Sequence, residues 1–263
     1  MRDVSGYRRF PVPPGTIASA PARAAQNSIG SRLPGLRASL GRMNWSDIAE
    51  RAEKRHRDGL ERLPDDPDGR QRQLTRVANA AWAAGLARLA EGRGEEAETW
   101  LCEAASRYRE SFTDAPPDSW GRLIGALKSR LLARDFAAAV DDARWALAQG
   151  PAAADSPIGR YAAVLALLVL GDDEQANTIA VTLRGDPDDR FPRPVSDALV
   201  GLASHDSDGY AQGLRRTLAA FEARPVEAFL EEVPVADTVA VLDTLARQRG
   251  FAVEPTSRVL PSL

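Results

Sequence analysis

The chain has 263 residues, 44% hydrophobic and 27% charged, enough for one large or two small domains of ordinary globular composition. Its net charge of −3 hides an asymmetry: residues 1–42 hold seven arginines against one acid, Asp3, so this tail carries +6 and the remainder −9. An acidic body lacks the basic face that nucleic acid requires, and a lone cysteine, Cys102, excludes an intramolecular disulfide and fits a reducing cytoplasm.

Residues 1–42 are rich in Pro, Gly, Ser, Ala and Arg without an apolar period, which predicts a disordered Arg/Pro-rich tail. Arg8-Arg9-Phe10 imitates an export signal, but Pro11, Pro13 and Pro14 stand where its apolar stretch belongs. Met43, directly before the first helical pattern, is a candidate alternative start. From there the spacing predicts one α-helical domain over 43–263. Trp45, Ile48, Ala49, Ala52, His56 and Leu60 share one stripe, and residues 63–69 break it with proline, aspartate and glycine. Leu74, Val77, Ala78, Ala81 and Leu89 define a second helix, and Ala97, Leu101, Ala104 and Tyr108 a third. Leu123, Leu127 and Leu131 pair with Val140, Ala143 and Leu147. Ser156-Pro157 opens a helix that is apolar nearly all round to Leu170, which suits the middle of the molecule. Its nine-residue apolar run, Ala162 to Leu170, is about half the ~20 a membrane span needs. Helices around Ile179, Leu199, Leu214 and Leu242 follow, the last opened by Pro234 and ended by Gly250.

Turns at Gly94, Asp135, Asp172 and Ser207 recur 41, 37 and 35 residues apart, each followed by a small or aromatic residue that begins a second helix. This is a degenerate helix–turn–helix repeat, close in period to tetratricopeptide or HEAT units. A single pair cannot hide its apolar face, so the expected architecture is all-α, stacked helical hairpins in a short solenoid. An irregular helical bundle is the alternative.

Little in the chain announces chemistry. His56 falls on an apolar stripe and His205 in an acidic turn, and with one cysteine they do not make a zinc set. Cys102 adjoins a stripe with no local histidine to activate it. The acidic turns at 65–69, 186–189 and 206–209 invite a calcium reading, but with Gly69 or Gly209 as the sixth residue the twelfth is Thr75 or Arg215, where an EF-hand loop needs glutamate, and all three are read as solvated helix-connecting turns. No phosphate-binding loop, dinucleotide fingerprint or nucleophile elbow occurs. The expectation is a non-enzyme without cofactor or metal. In tetratricopeptide-like stacks the first helix of each pair lines the inner face. Residues off the stripe there, Arg76, Asn79, Trp82, Arg122, Lys128 and Arg160, are the candidate partner contacts. Replacing Trp82 and Lys128 together with alanine is expected to weaken binding and spare the fold.

The C-terminal part resembles a known family. The run Val164-Leu165-Ala166-Leu167-Leu168-Val169-Leu170-Gly171-Asp172 before Asp173-Glu174-Gln175-Ala176 is similar to the helix, Gly-Asp, helix core of the immunity protein 49 family of bacterial polymorphic toxin systems. Asp197-Ala198-Leu199 through Asp208-Gly209-Tyr210 resembles the next repeat, and Val233-Pro234-Val235 through Phe251, with Val259-Leu260-Pro261, its closing segment. The likeness covers roughly 160–263, and the Arg/Pro tail departs from it. It implies a cytoplasmic antitoxin that blocks its cognate toxin by direct binding, without membrane or nucleic acid. A helical-repeat scaffold that binds peptides or partner domains is the alternative, and a helical enzyme with an unrecognised site ranks behind both.

Overall fold

The helices begin where short polar side chains cap them. Asn44, Asp66, Asp135, Ser156, Asp172 and Asp206 each accept a hydrogen bond from a backbone N–H two or three positions on, at 2.6–3.3 Å. Each such cap stabilises its helix by about 1 kcal/mol. In the computed structural model, which describes residues 43–186, 190–251 and 253–261, ten α-helices and three short 3₁₀ turns are present and no strand is found among the described residues. The expected Arg/Pro tail lies outside the described residues.

In chain order the helices are α1 (Trp45–Leu60), α2 (Pro67–Ala90), α3 (Gly94–Phe112), α4 (Gly121–Leu132), α5 (Phe136–Ala148), α6 (Pro157–Leu170), α7 (Asp173–Arg184), α8 (Arg193–Ala203), α9 (Ser207–Glu222) and α10 (Asp237–Gln248). The 3₁₀ turns are Pro151–Ala153, Val226–Ala228 and Leu230–Glu232. Two boundaries differ from the sequence expectation. Asp66-Pro67 is a cap and first-turn proline, so α2 starts inside the stretch that composition marks as a break. Pro234 does not open α10: Val235 and Ala236 run on outside the helix, and the Ala236 N–H donates to the Val259 carbonyl at 2.7 Å.

Four hairpins, α2–α3, α4–α5, α6–α7 and α8–α9, are closed by the same turn. In each, a left-handed residue ends the first helix and the next residue caps the second: Gly92-Arg93, Arg134-Asp135, Gly171-Asp172 and His205-Asp206. The cap N–H reaches back to the carbonyls of Arg88, Arg130, Leu167 and Gly201 at 2.9–3.1 Å. The left-handed residue bonds those of Leu89, Leu131, Leu168 and Leu202 at 3.0–3.3 Å. This pair of bonds is the Schellman ending of a helix, made four times over. Glycine enters the left-handed region freely, whereas Arg134 and His205 adopt it at a cost of about 1 kcal/mol.

Successive helices pack on one another along the chain, and α6 also rests against α4, which explains its burial on nearly every side. The core is alanine-rich, and small side chains let helices approach closely. At two glycines α8 and α9 come into main-chain contact. A Cβ on Gly201 would lie 2.7 Å from Tyr210 Cα, and one on Gly213 would lie 2.8 Å from Ala198 Cα. Helix α10 turns back and packs on α4, α8 and α9 instead of extending the series.

Candidate functional site

The return of the C-terminal segment creates a concavity walled by aromatic side chains. Residues 226–238 pass beside α2, α4 and α6 and leave a cleft of about 330 Å³. Trp82 of α2, Tyr161 of α6, Phe191, Phe221 of α9 and Phe229 supply aromatic walls. Ile158 and Leu230 stand at the mouth, 41% and 55% exposed, unusual for large apolar side chains in this molecule.

Beneath those walls lies a buried ion pair. The Lys128 ammonium donates to Asp237 Oδ2 at 2.7 Å and to Thr238 Oγ1 at 2.8 Å, and sits 5.9 Å from the centre of the Tyr161 ring. Burial works to lower the Lys128 pKa, but the adjacent Asp237 carboxylate outweighs it, so the ammonium is held above its ordinary value and stays charged. Burial pushes the Tyr161 phenol up, so it remains neutral. The Trp82 indole N–H is buried without a hydrogen-bond partner, and the buried Tyr161 hydroxyl lies against Lys128 and Thr238.

Comparison with protein-family models, curated proteins and solved structures gives no match to this chain.

Of the six residues singled out from sequence, Trp82 and Lys128 meet at this cleft. Both are more than nine-tenths buried, so replacing them with alanine removes core packing and an ion pair, against the expectation that the fold would be spared. The other four serve elsewhere. Asn79 accepts from the Tyr108 hydroxyl at 2.8 Å. Arg122 ties Gln71, the Thr75 hydroxyl at 3.0 Å and the Ser111 carbonyl at 2.9 Å together. Arg160 reaches Thr182 at 3.3 Å and Asp186 at 3.7 Å. Arg76 is exposed and lines a shallow groove with Arg55 and Glu231. Sequence spacing did not single out Asp237, Thr238 or Arg224, because nothing local to them signals the cleft they border.

The remaining chemistry-bearing residues act as structure. His56 is buried, its Nε2 3.1 Å from Glu103 Oε1, with Trp100 edge-on at 5.2 Å. The hydrogen bond from His56, opposed in part by burial and reinforced by Arg107, brings the Glu103 pKa down to about 2. A depressed carboxylate stabilises the fold above its unfolded value near 4.5, and that contribution disappears as pH falls toward 2. Glu103→Gln is therefore expected to cost about 1 kcal/mol at pH 7, and urea titrations at successive pH values should show the deficit closing between pH 4.5 and 2. A deficit unchanged across that window would mean the carboxylate charge does not act in this way. Cys102 is half-buried. Burial raises its thiol pKa against the opposing influence of Arg130, which disfavours the nucleophilic thiolate. His205 sits in its turn with Nε2 2.9 Å from Asp173 Oδ2. Among the described residues no group of three or more His, Cys, Asp or Glu is arranged to hold a metal. The acidic segment 187–189 lies outside the described residues.

Proposed function

We propose that this chain is a non-catalytic protein-binding stack of helical hairpins, tetratricopeptide-like in plan, and that it serves in the cytoplasm as an immunity protein that neutralises a cognate bacterial toxin by direct binding. The observation that carries the reading is a set of exposed, unpaired acidic side chains at three of the four hairpin turns, the α4–α5 turn presenting Arg134 instead. Glu95, Glu174 and Asp208 open the second helices of three hairpins, all three are exposed, and none makes an ion pair among the described residues. In an up-and-down stack such turns share one edge, and the contact between His205 and Asp173 joins two of them. An acidic edge attracts a basic surface and speeds its encounter. A scaffold that takes peptides along its inner face is less well supported, because α10 lies on α4 and α8, the first helices of two hairpins, where such a groove would need to be open.

Co-expression with the product of a toxin gene immediately upstream tests the proposal. Growth rescue and a stable complex are expected. The triple substitution Glu95→Gln, Glu174→Gln, Asp208→Asn should weaken that complex at least tenfold at low salt, since charges at the rim of an interface act on association, while costing the free protein only about 0.3–1 kcal/mol for each first-turn acid that its helix loses. Absence of both rescue and complex would refute the immunity reading.

A further inference from the structure

The aromatic cleft has features that the acidic edge does not use. Its volume of about 330 Å³ falls at the lower end of small-molecule sites, ~300–1,000 Å³, and is too small for a folded segment. The charges that border it are Lys128, Asp237 and Arg224. Lys128 and Asp237 neutralise one another. Arg224 is exposed, makes no ion pair among the described residues, and holds its guanidinium 4.4 Å above the Phe221 ring. The cleft therefore presents one uncompensated cation beside an apolar interior with an apolar lip. A guanidinium fixed by stacking on an aromatic ring is pre-organised to take a carboxylate through two parallel N–H donors. The buried Trp82 N–H, without a hydrogen-bond partner, marks the same region as one with a polar group the fold leaves unsatisfied, an uncommon state in a native interior.

We propose that the cleft is a binding site for a small amphiphilic monocarboxylate, its acyl or aryl body seated among Trp82, Tyr161, Phe191 and Phe229 and its carboxylate paired with Arg224 at the mouth. This site is independent of toxin binding, and the failure of either proposal leaves the other standing.

Titration calorimetry on the full chain with octanoate and with 1-octanol separates the carboxylate from the chain that carries it. Octanoate is expected to bind with one site per protein and octanol at least tenfold more weakly. Arg224→Gln should reduce octanoate affinity about tenfold and leave octanol unchanged, which is the loss expected for one charge-assisted contact. Leu230→Asp, at a lip residue that is 55% exposed, should weaken octanoate more than octanol for the same electrostatic reason, with the melting temperature measured alongside to show that the Leu230–Glu232 turn stays in place. Equal binding of acid and alcohol, insensitivity of octanoate to Arg224→Gln, or no binding of either ligand at millimolar concentration would each overturn the proposal.

Discussion

Lys128→Met is expected to destabilise the protein by about 3–5 kcal/mol, because it strands the Asp237 carboxylate, 17% exposed, beside an apolar wall. The ion pair itself is a poor source of net stability, since removing both charges from water offsets most of their attraction. The two statements make a sharp joint prediction. Asp237→Leu alone should also be costly, because it leaves the ammonium buried and removes an acid from the first turn of α10. The double variant Lys128→Met with Asp237→Leu should be more stable than either single variant. Denaturant unfolding of the three proteins measures the coupling directly. Simple additivity of the two single losses would show that the pair is not the unit that joins α4 to α10.

Gly201→Ala should cost about 3 kcal/mol, which for a chain of this size lowers the melting temperature by about 6–12 °C. The reason is backbone, not side chain: the added methyl meets Tyr210 Cα at 2.7 Å and the Gly209 carbonyl carbon at 2.9 Å, and main chain cannot rotate away. Relief requires α8 and α9 to separate along their whole crossing, which also loosens Gly213 from Ala198. Gly94→Ala is the control. It has open space around the missing Cβ at the start of α3, and should be neutral or slightly stabilising. A melting temperature for Gly201→Ala within 2 °C of the unsubstituted protein would mean that the α8–α9 contact is looser than described.

The helices were legible in the sequence because they announce themselves locally. Apolar residues three and four apart, Ser156-Pro157 at a start and Gly171-Asp172 at a turn are read without knowledge of any partner. The same signals placed the turns at Asp135 and Asp172 on their capping residues, and those at Gly94 and Ser207 one residue past theirs. Asp66-Pro67 carries the start signal too, but Gly69 behind it resembles a breaker, and the beginning of α2 was hidden. Trp82 lies beside the apolar stripe of its helix, which left open whether it packs on a neighbouring helix or anchors a partner. It is buried because α2 has a third neighbour, the Leu230–Glu232 turn, besides α1 and α3. Lys128 looked available because its carboxylate lies 109 positions away. Amphipathic period reports that a face is covered, not what covers it, so the inward return of α10 and the cleft beneath it had no local signature.

That return also sets an order of events on the ribosome. Helices α2 to α9 each find a neighbour as they emerge, whereas α4 completes its surroundings only after α10 has been made. At roughly 5–20 residues per second, translation leaves about 5–20 s between the synthesis of Lys128 and that of its carboxylate partner. For that interval the nascent chain carries a naked ammonium and an open seam of aromatic rings, and this is the stage at which a chaperone would have something to hold.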